Sequence, residues 1–144
     1  MKKIYCLAAL FGGLTVSASG SAAAEAEAVQ SIMCATLELR QCDAKAPCQD
    51  VEPEDVDAPR LIRVDLDAKT LTGRRADGTA WQSVIDHAEE VDQKIIIQGA
   101  EDGSKDRHDG VGWTVTISKL TGRMTLAAAG DDVVFVGFGS CAAL

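Results

Sequence analysis

Short runs in which apolar and polar residues alternate recur through most of this chain. In "CATLELRQC", Ala35, Leu37 and Leu39 fall on one face and Thr36, Glu38 and Arg40 on the other. In "RLIRVDLD", Ile62, Val64 and Leu66 oppose Arg63 and Asp65. In "WTVTISKLTGRMTLAAAG", Trp113, Val115 and Ile117 alternate with threonines, the chain turns between Lys119 and Gly122, and Met124, Leu126 and Ala128 return. A period of two residues is that of a strand with one buried face. "KIIIQG" reads as a short β-branched strand, and "KTLTGRRADGTAW" as a strand and a turn marked by Asp77-Gly78. "WQSVIDHAEEVDQ" reads either as a strand from Trp81 to Ile85 or as a short helix near Ala88. "EDGSKDRHDGVG" is a long charged loop, and "VVFVGFG" is a last strand in which Gly137 and Gly139 mark a bulge or a bend. No 3.6-residue period is sustained. The pattern predicts an all-β fold: an antiparallel meander of seven or eight short strands, closing into a small barrel or a sandwich.

The first residues break this pattern. Lys2 and Lys3 precede an uncharged apolar run from Ile4 to Val16, and a small-residue segment follows. That is the layout of a secretory signal peptide with cleavage expected after Ala24 or Ala26, and the run is too short to span a bilayer. The expected organisation is therefore a leader over residues 1–24 and one small β-domain over residues 25–144, delivered to the periplasm or the outside of the cell. No cysteine directly follows a small-residue box at the end of the apolar run, so a lipid anchor is not expected.

Export changes the cysteine arithmetic. Cys6 leaves with the leader, and Cys34, Cys42, Cys48 and Cys141 remain, an even set that reads as two disulfides. Their spacing does not match zinc knuckles. Along an extended strand Cys34 and Cys42 are roughly 26 Å apart, beyond bridging distance. That leaves Cys34–Cys141 with Cys42–Cys48, or Cys34–Cys48 with Cys42–Cys141. Either choice ties the two ends of the domain together.

Loss of Lys2 and Lys3 also takes the formal net charge from −8 to −10. Such a charge disfavours nucleic acid and anionic membrane surfaces and favours a basic protein in the envelope as partner. The acids concentrate in two loops: Asp50, Glu52, Glu54, Asp55 and Asp57 in the first, and Glu101, Asp102, Asp106 and Asp109 in the second.

Catalytic chemistry is not evident. His87 and His108 each adjoin an aspartate, but neighbours on a strand point to opposite faces. Asp102-x-Ser104-x-Asp106 begins like a calcium loop, then has Arg107 at the glycine position and Trp113 at the bidentate glutamate position. Ser140 in "GFGSCA" lacks the second glycine of a nucleophile elbow. No cofactor, metal or enzymatic activity is expected. Trp81 and Trp113, with Phe135, Phe138 and Met124, are the candidates to line an apolar pocket. A carrier of a small apolar ligand is thus the alternative to a protein-binding role.

The segments "CATLELRQC…PRLIRVDL" and "GWTVTISKLTGRMTL…FVGFGSC" resemble small exported bacterial proteins of unknown function. These share an early cysteine strand, a W-T-x-x-I…T-G-x-M-T hairpin and a terminal G-S-C. The resemblance implies structure and carries no activity. Envelope inhibitors of lysozyme are likewise small disulfide-tied barrels, which is an analogy of fold alone.

Overall fold

Ten strands build a single antiparallel sheet in the computed structural model, which describes residues 31–103 and 109–144. The expected leader, Asp106 and His108 lie outside the described residues. The strands are β1 (Ser31–Asp43), β2 (Gln49–Asp50), β3 (Leu61–Asp65), β4 (Thr70–Arg74), β5 (Ala80–Val84), β6 (His87–Val91), β7 (Lys94–Glu101), β8 (Val111–Ser118), β9 (Arg123–Ala129) and β10 (Val133–Ala143). One turn of 3-10 helix, Pro53–Val56, follows β2. The fold is all-β and antiparallel, as the alternation predicts. There are more strands than the seven or eight expected: "WQSVIDHAEEVDQ" supplies two of them, β5 and β6, and no helix, and the two-residue β2 adds another.

Across the sheet the order is β5-β4-β3-β1-β10-β9-β8-β7-β6, with β2 paired to β1. The two edge strands, β5 and β6, are consecutive in the chain and joined only through Ile85 and Asp86. At this bend the backbone hydrogen bonds change partner. The Ile85 N–H donates to the Lys69 carbonyl and the Asp86 N–H to the Gln98 carbonyl, both at 2.9 Å. The chain thus steps from one edge of the sheet to the other, and the sheet curls into a half-barrel. Ile85 turns its side chain into the interior, where it is fully buried.

Cys34 is bonded to Cys141 and Cys42 to Cys48. Cys34 and Cys141 sit directly opposite each other on β1 and β10. This bridge joins the first and last strands, but at the centre of the sheet. It does not protect a sheet edge, since the edges are β5 and β6.

One sequence expectation fails inside β1. The register against β10 shifts between Thr36 and Glu38, so Leu37 is an extra, bulged residue. Up to the bulge the inward residues are Ile32, Cys34 and Thr36, all buried; beyond it the inward residue is Leu39. Leu37 is left 67% exposed. Ala35, Leu37 and Leu39 therefore do not share a face, because the bulge reverses the alternation. The bulge also answers the question posed by the glycines of the last strand: β10 faces it but does not carry it. A side chain at Gly139 would run into the Ala35 carbonyl.

Inward residues stack in rows across the sheet. Ile95, Ile117, Met124, Gly139 and Thr36 form one row, and Ile97, Val115, Leu126, Gly137 and Leu39 the next. With Ile32, Val64, Leu71 and Ile85 they make a core at one end of the half-barrel.

The two bridges should contribute unequally. Replacing Cys34 and Cys141 by alanine should lower the unfolding free energy by about 4–5 kcal/mol, and replacing Cys42 and Cys48 by roughly 2 kcal/mol, because the first closes a much longer loop. Urea unfolding of the two double variants checks the difference.

Candidate functional site

The rows of the core end in a hollow. The next row toward the open end is Gly99, Trp113, Ala128 and Phe135, on β7, β8, β9 and β10 in turn. Small and large side chains alternate along it, so the two aromatic rings stand up from a low floor. The result is a cavity of about 380 Å³ at the mouth of the half-barrel. Leu39, Ile62, Leu71 and Trp81 line its other sides, and residues 56–59 form a wall. A volume of this order is that of small-molecule pockets, roughly 300–1,000 Å³.

Trp113 is held from two directions. A side chain at Gly99 would overlap its ring and the Val84 carbonyl, so glycine there lets the indole lie against β7 and lets β5 come close. The indole N–H donates to the Ser83 hydroxyl at 3.1 Å, and both residues are buried. Ser83 belongs to β5, which shares no backbone ladder with β8. This bond therefore ties the two sides of the half-barrel across its opening.

The wall is held by Arg60. Its guanidinium donates twice to Glu54, at 2.9 and 2.7 Å, and once to Glu52, at 2.6 Å. These bonds tie the 3-10 turn, which carries Glu54, to the residue before β3, and the arginine hydrogen bond lowers the Glu54 pKa. The same bonds raise the Arg60 pKa. In the β4–β5 turn, the Thr79 hydroxyl and N–H donate to Asp77 and lower its pKa in the same way.

Beyond the aromatic row the inner surface turns acidic. Glu101 pairs with Val111 one step further out, and Glu101, Asp109 and Asp57 border the cavity. An adjoining hollow of about 850 Å³ shares these three acids and Trp81, and adds Asp102 and Arg75. Asp57 is paired to Arg75 at 2.9 Å.

The expected site residues separate into groups. Trp81, Trp113 and Phe135 come together around the cavity. Phe138 and Met124 do not: Phe138 points outward, 46% exposed, and Met124 is buried in the packed end. Of the first acidic loop, Asp50 pairs with Arg40, Glu52 and Glu54 with Arg60, and Asp57 with Arg75, while Asp55 accepts the Glu52 N–H at 3.4 Å. Of the second, Glu101, Asp102 and Asp109 stand at the mouth. His87 is exposed on β6, with Glu89 at 3.7 Å. Leu39, Ile62 and Leu71 were not singled out by sequence. Their only signal is inward parity on their strands.

Among the described residues, no group of three or more His, Cys, Asp and Glu side chains is placed to hold a metal ion, and no helix is long and apolar enough to cross a membrane. The two disulfides point to an oxidising compartment other than the cytoplasm. Comparison with known proteins finds no family model, curated protein or solved structure that matches the chain.

Two outcomes test this geometry. Ser83→Ala leaves the buried indole N–H without an acceptor and should cost about 1–3 kcal/mol, with a shift of tryptophan emission in the folded protein, seen by denaturant titration followed by fluorescence. For Glu54 the folded pKa lies below the unfolded one. Its contribution to stability is therefore present above the ordinary carboxylate range and fades as pH falls through the lowered value. Titration of its carboxyl carbon by NMR should give a lowered midpoint that moves up in Arg60→Gln, which removes the largest cause of the shift.

Proposed function

We propose that this is an exported protein of the periplasm or cell exterior that acts by binding rather than by turnover, holding a small apolar ligand in the open end of its half-barrel. One observation carries the reading: the cavity of about 380 Å³ floored by Trp113, Ala128 and Phe135. A packed barrel of this size fills its interior with its own side chains. Here Ala128 stands between Trp113 and Phe135 in place of a larger residue, and the row stays open there. Burial of apolar ligand surface at about 25 cal/mol per Å² supplies the affinity. The two rings offer flat faces that adapt to ligands of varied shape.

A basic protein partner, the reading suggested by net charge, draws less support. Four of the five acids between Asp50 and Asp57 already face arginines of the same chain. They bring less unbalanced charge to a partner than their number implies, and exposed pairs of this kind are worth little individually.

The uncharged fluorescent probe N-phenyl-1-naphthylamine tests the reading. Its emission should rise saturably with one probe per protein and quench the tryptophans. Ala128→Phe, which fills the floor between Trp113 and Phe135, should weaken binding by on the order of tenfold or more, about 1.4 kcal/mol. No saturable signal with the parent protein overturns the proposal.

A further inference from the structure

The aromatic residues are not spread through the interior. Four lie among the described residues: Trp81, Trp113, Phe135 and Phe138. Phe138 points outward, and the other three all line the cavity. The packed end of the half-barrel is filled by aliphatic residues, Met124 and Cys34 instead. Two of the three rings flank a gap. Trp113 and Phe135 both pair with Ala128, from opposite sides. Their strands are thus two spacings apart, roughly 10 Å. That is wide enough for one planar ring in contact, at about 3.5–4 Å, with a face on either side. Trp81 lies two residues from Ser83 on β5, shares its inward parity, and closes the cavity from the opposite wall.

The two indoles differ in one respect. The side chains that line the cavity carry two N–H groups, one on each tryptophan. That of Trp113 is taken by the Ser83 hydroxyl. That of Trp81 donates to no group among the described residues. Trp113 is therefore a fixed apolar face, and Trp81 is a face with a spare donor. An indole N–H shielded from water takes an acceptor where one is supplied.

We infer that the occupant is a planar aromatic molecule with a hydrogen-bond acceptor, its ring between Trp113 and Phe135 over Ala128 and its acceptor on the Trp81 N–H. The inference rests on the ligand-binding reading above and narrows it from apolar ligands in general to this class. A ring meets the aromatic side chains in the offset and edge-to-face arrangements that ring pairs favour. A saturated body of the same size buries similar area without that gain. The Trp81 N–H replaces the water bond that the acceptor gives up on entering.

The test is displacement of bound N-phenyl-1-naphthylamine by three neutral bicyclic ligands: 1-tetralone, 1-decalone and tetralin. The first two share a ketone and a skeleton and differ in one aromatic ring. The first and third share that ring and differ in the ketone. Tetralone should displace the probe at a concentration lower than decalone by on the order of fivefold. Trp81→Phe keeps a ring and removes the donor. In it the ratio of tetralone to tetralin affinity should fall by roughly threefold to tenfold, a comparison that cancels any general loss of packing. If the probe binds but decalone displaces it as well as tetralone does, the aromatic class is wrong and the apolar pocket stands. If the ratio is the same in Trp81→Phe as in the parent protein, the Trp81 contact is wrong. If the probe does not bind the parent protein at all, both readings fall.

Discussion

A connection of two residues between opposite edges of a sheet leaves that sheet no option but to curl. β5 and β6 are the outermost strands of a path of nine, yet only Ile85 and Asp86 separate them. The rest of the structure follows from this constraint. The Ile85 and Asp86 amides bond in opposite directions, one to the turn after β3 and one to β7, so neither edge ends in a row of open donors at that point. The side chains facing the interior are forced into a confined volume, and at one end they fill it. At the other end β5 packs against β7 at Gly99 without a ladder between them. There a buried side-chain bond, from Trp113 to Ser83, does what a backbone ladder does elsewhere.

The disulfides belong to a different part of the problem. The strand pair β1–β10 joins the two halves of the sheet and runs for eleven paired positions, the longest ladder in the fold. It is also the pairing of greatest sequence separation, and hence the one with the largest loop-closure cost. Cys34–Cys141 lies within it. The covalent bond is thus placed where the chain entropy opposing folding is greatest, with Cys34 itself packed into the core. Cys42–Cys48 acts locally, holding the end of β1 to the start of β2.

Much of this was legible in the sequence, and what was not has identifiable causes. Strands β3, β8 and β9 show a period of two, because each has one face on the core, and β7 was legible from its β-branched run instead. β5 and β6 were not separable by pattern: β6 has no buried residue, so nothing in "HAEEV" alternates. The bulge in β1 leaves no trace either. Leu37 is apolar and keeps the alternation of "ATLEL" intact on paper, while the register shift sends it to solvent. The same limit applies to the site. Trp81 and Trp113 could be suspected from their chemistry. The cavity could not, since it depends on Ala128 standing between Trp113 and Phe135 on neighbouring strands, a relation of register and not of sequence. Phe135 and Phe138 have opposite parity on β10, so only one of them could ever line the interior.

Charge shows the same division between composition and placement. The chain carries a formal net charge of −8, and composition alone invites the idea of a broad acidic surface for a basic partner. Placement redistributes that charge. In the first acidic loop, arginines from β1, from the residue before β3 and from the residue after β4 meet the carboxylates, and the loop becomes a buttressed wall. At the open end, Glu101, Asp102 and Asp109 border the hollows together with Asp57 and Arg75. Along β7 the inward positions run from Ile95 and Ile97 through Gly99 to Glu101, so register on one strand, and not composition, decides which residues border the cavity.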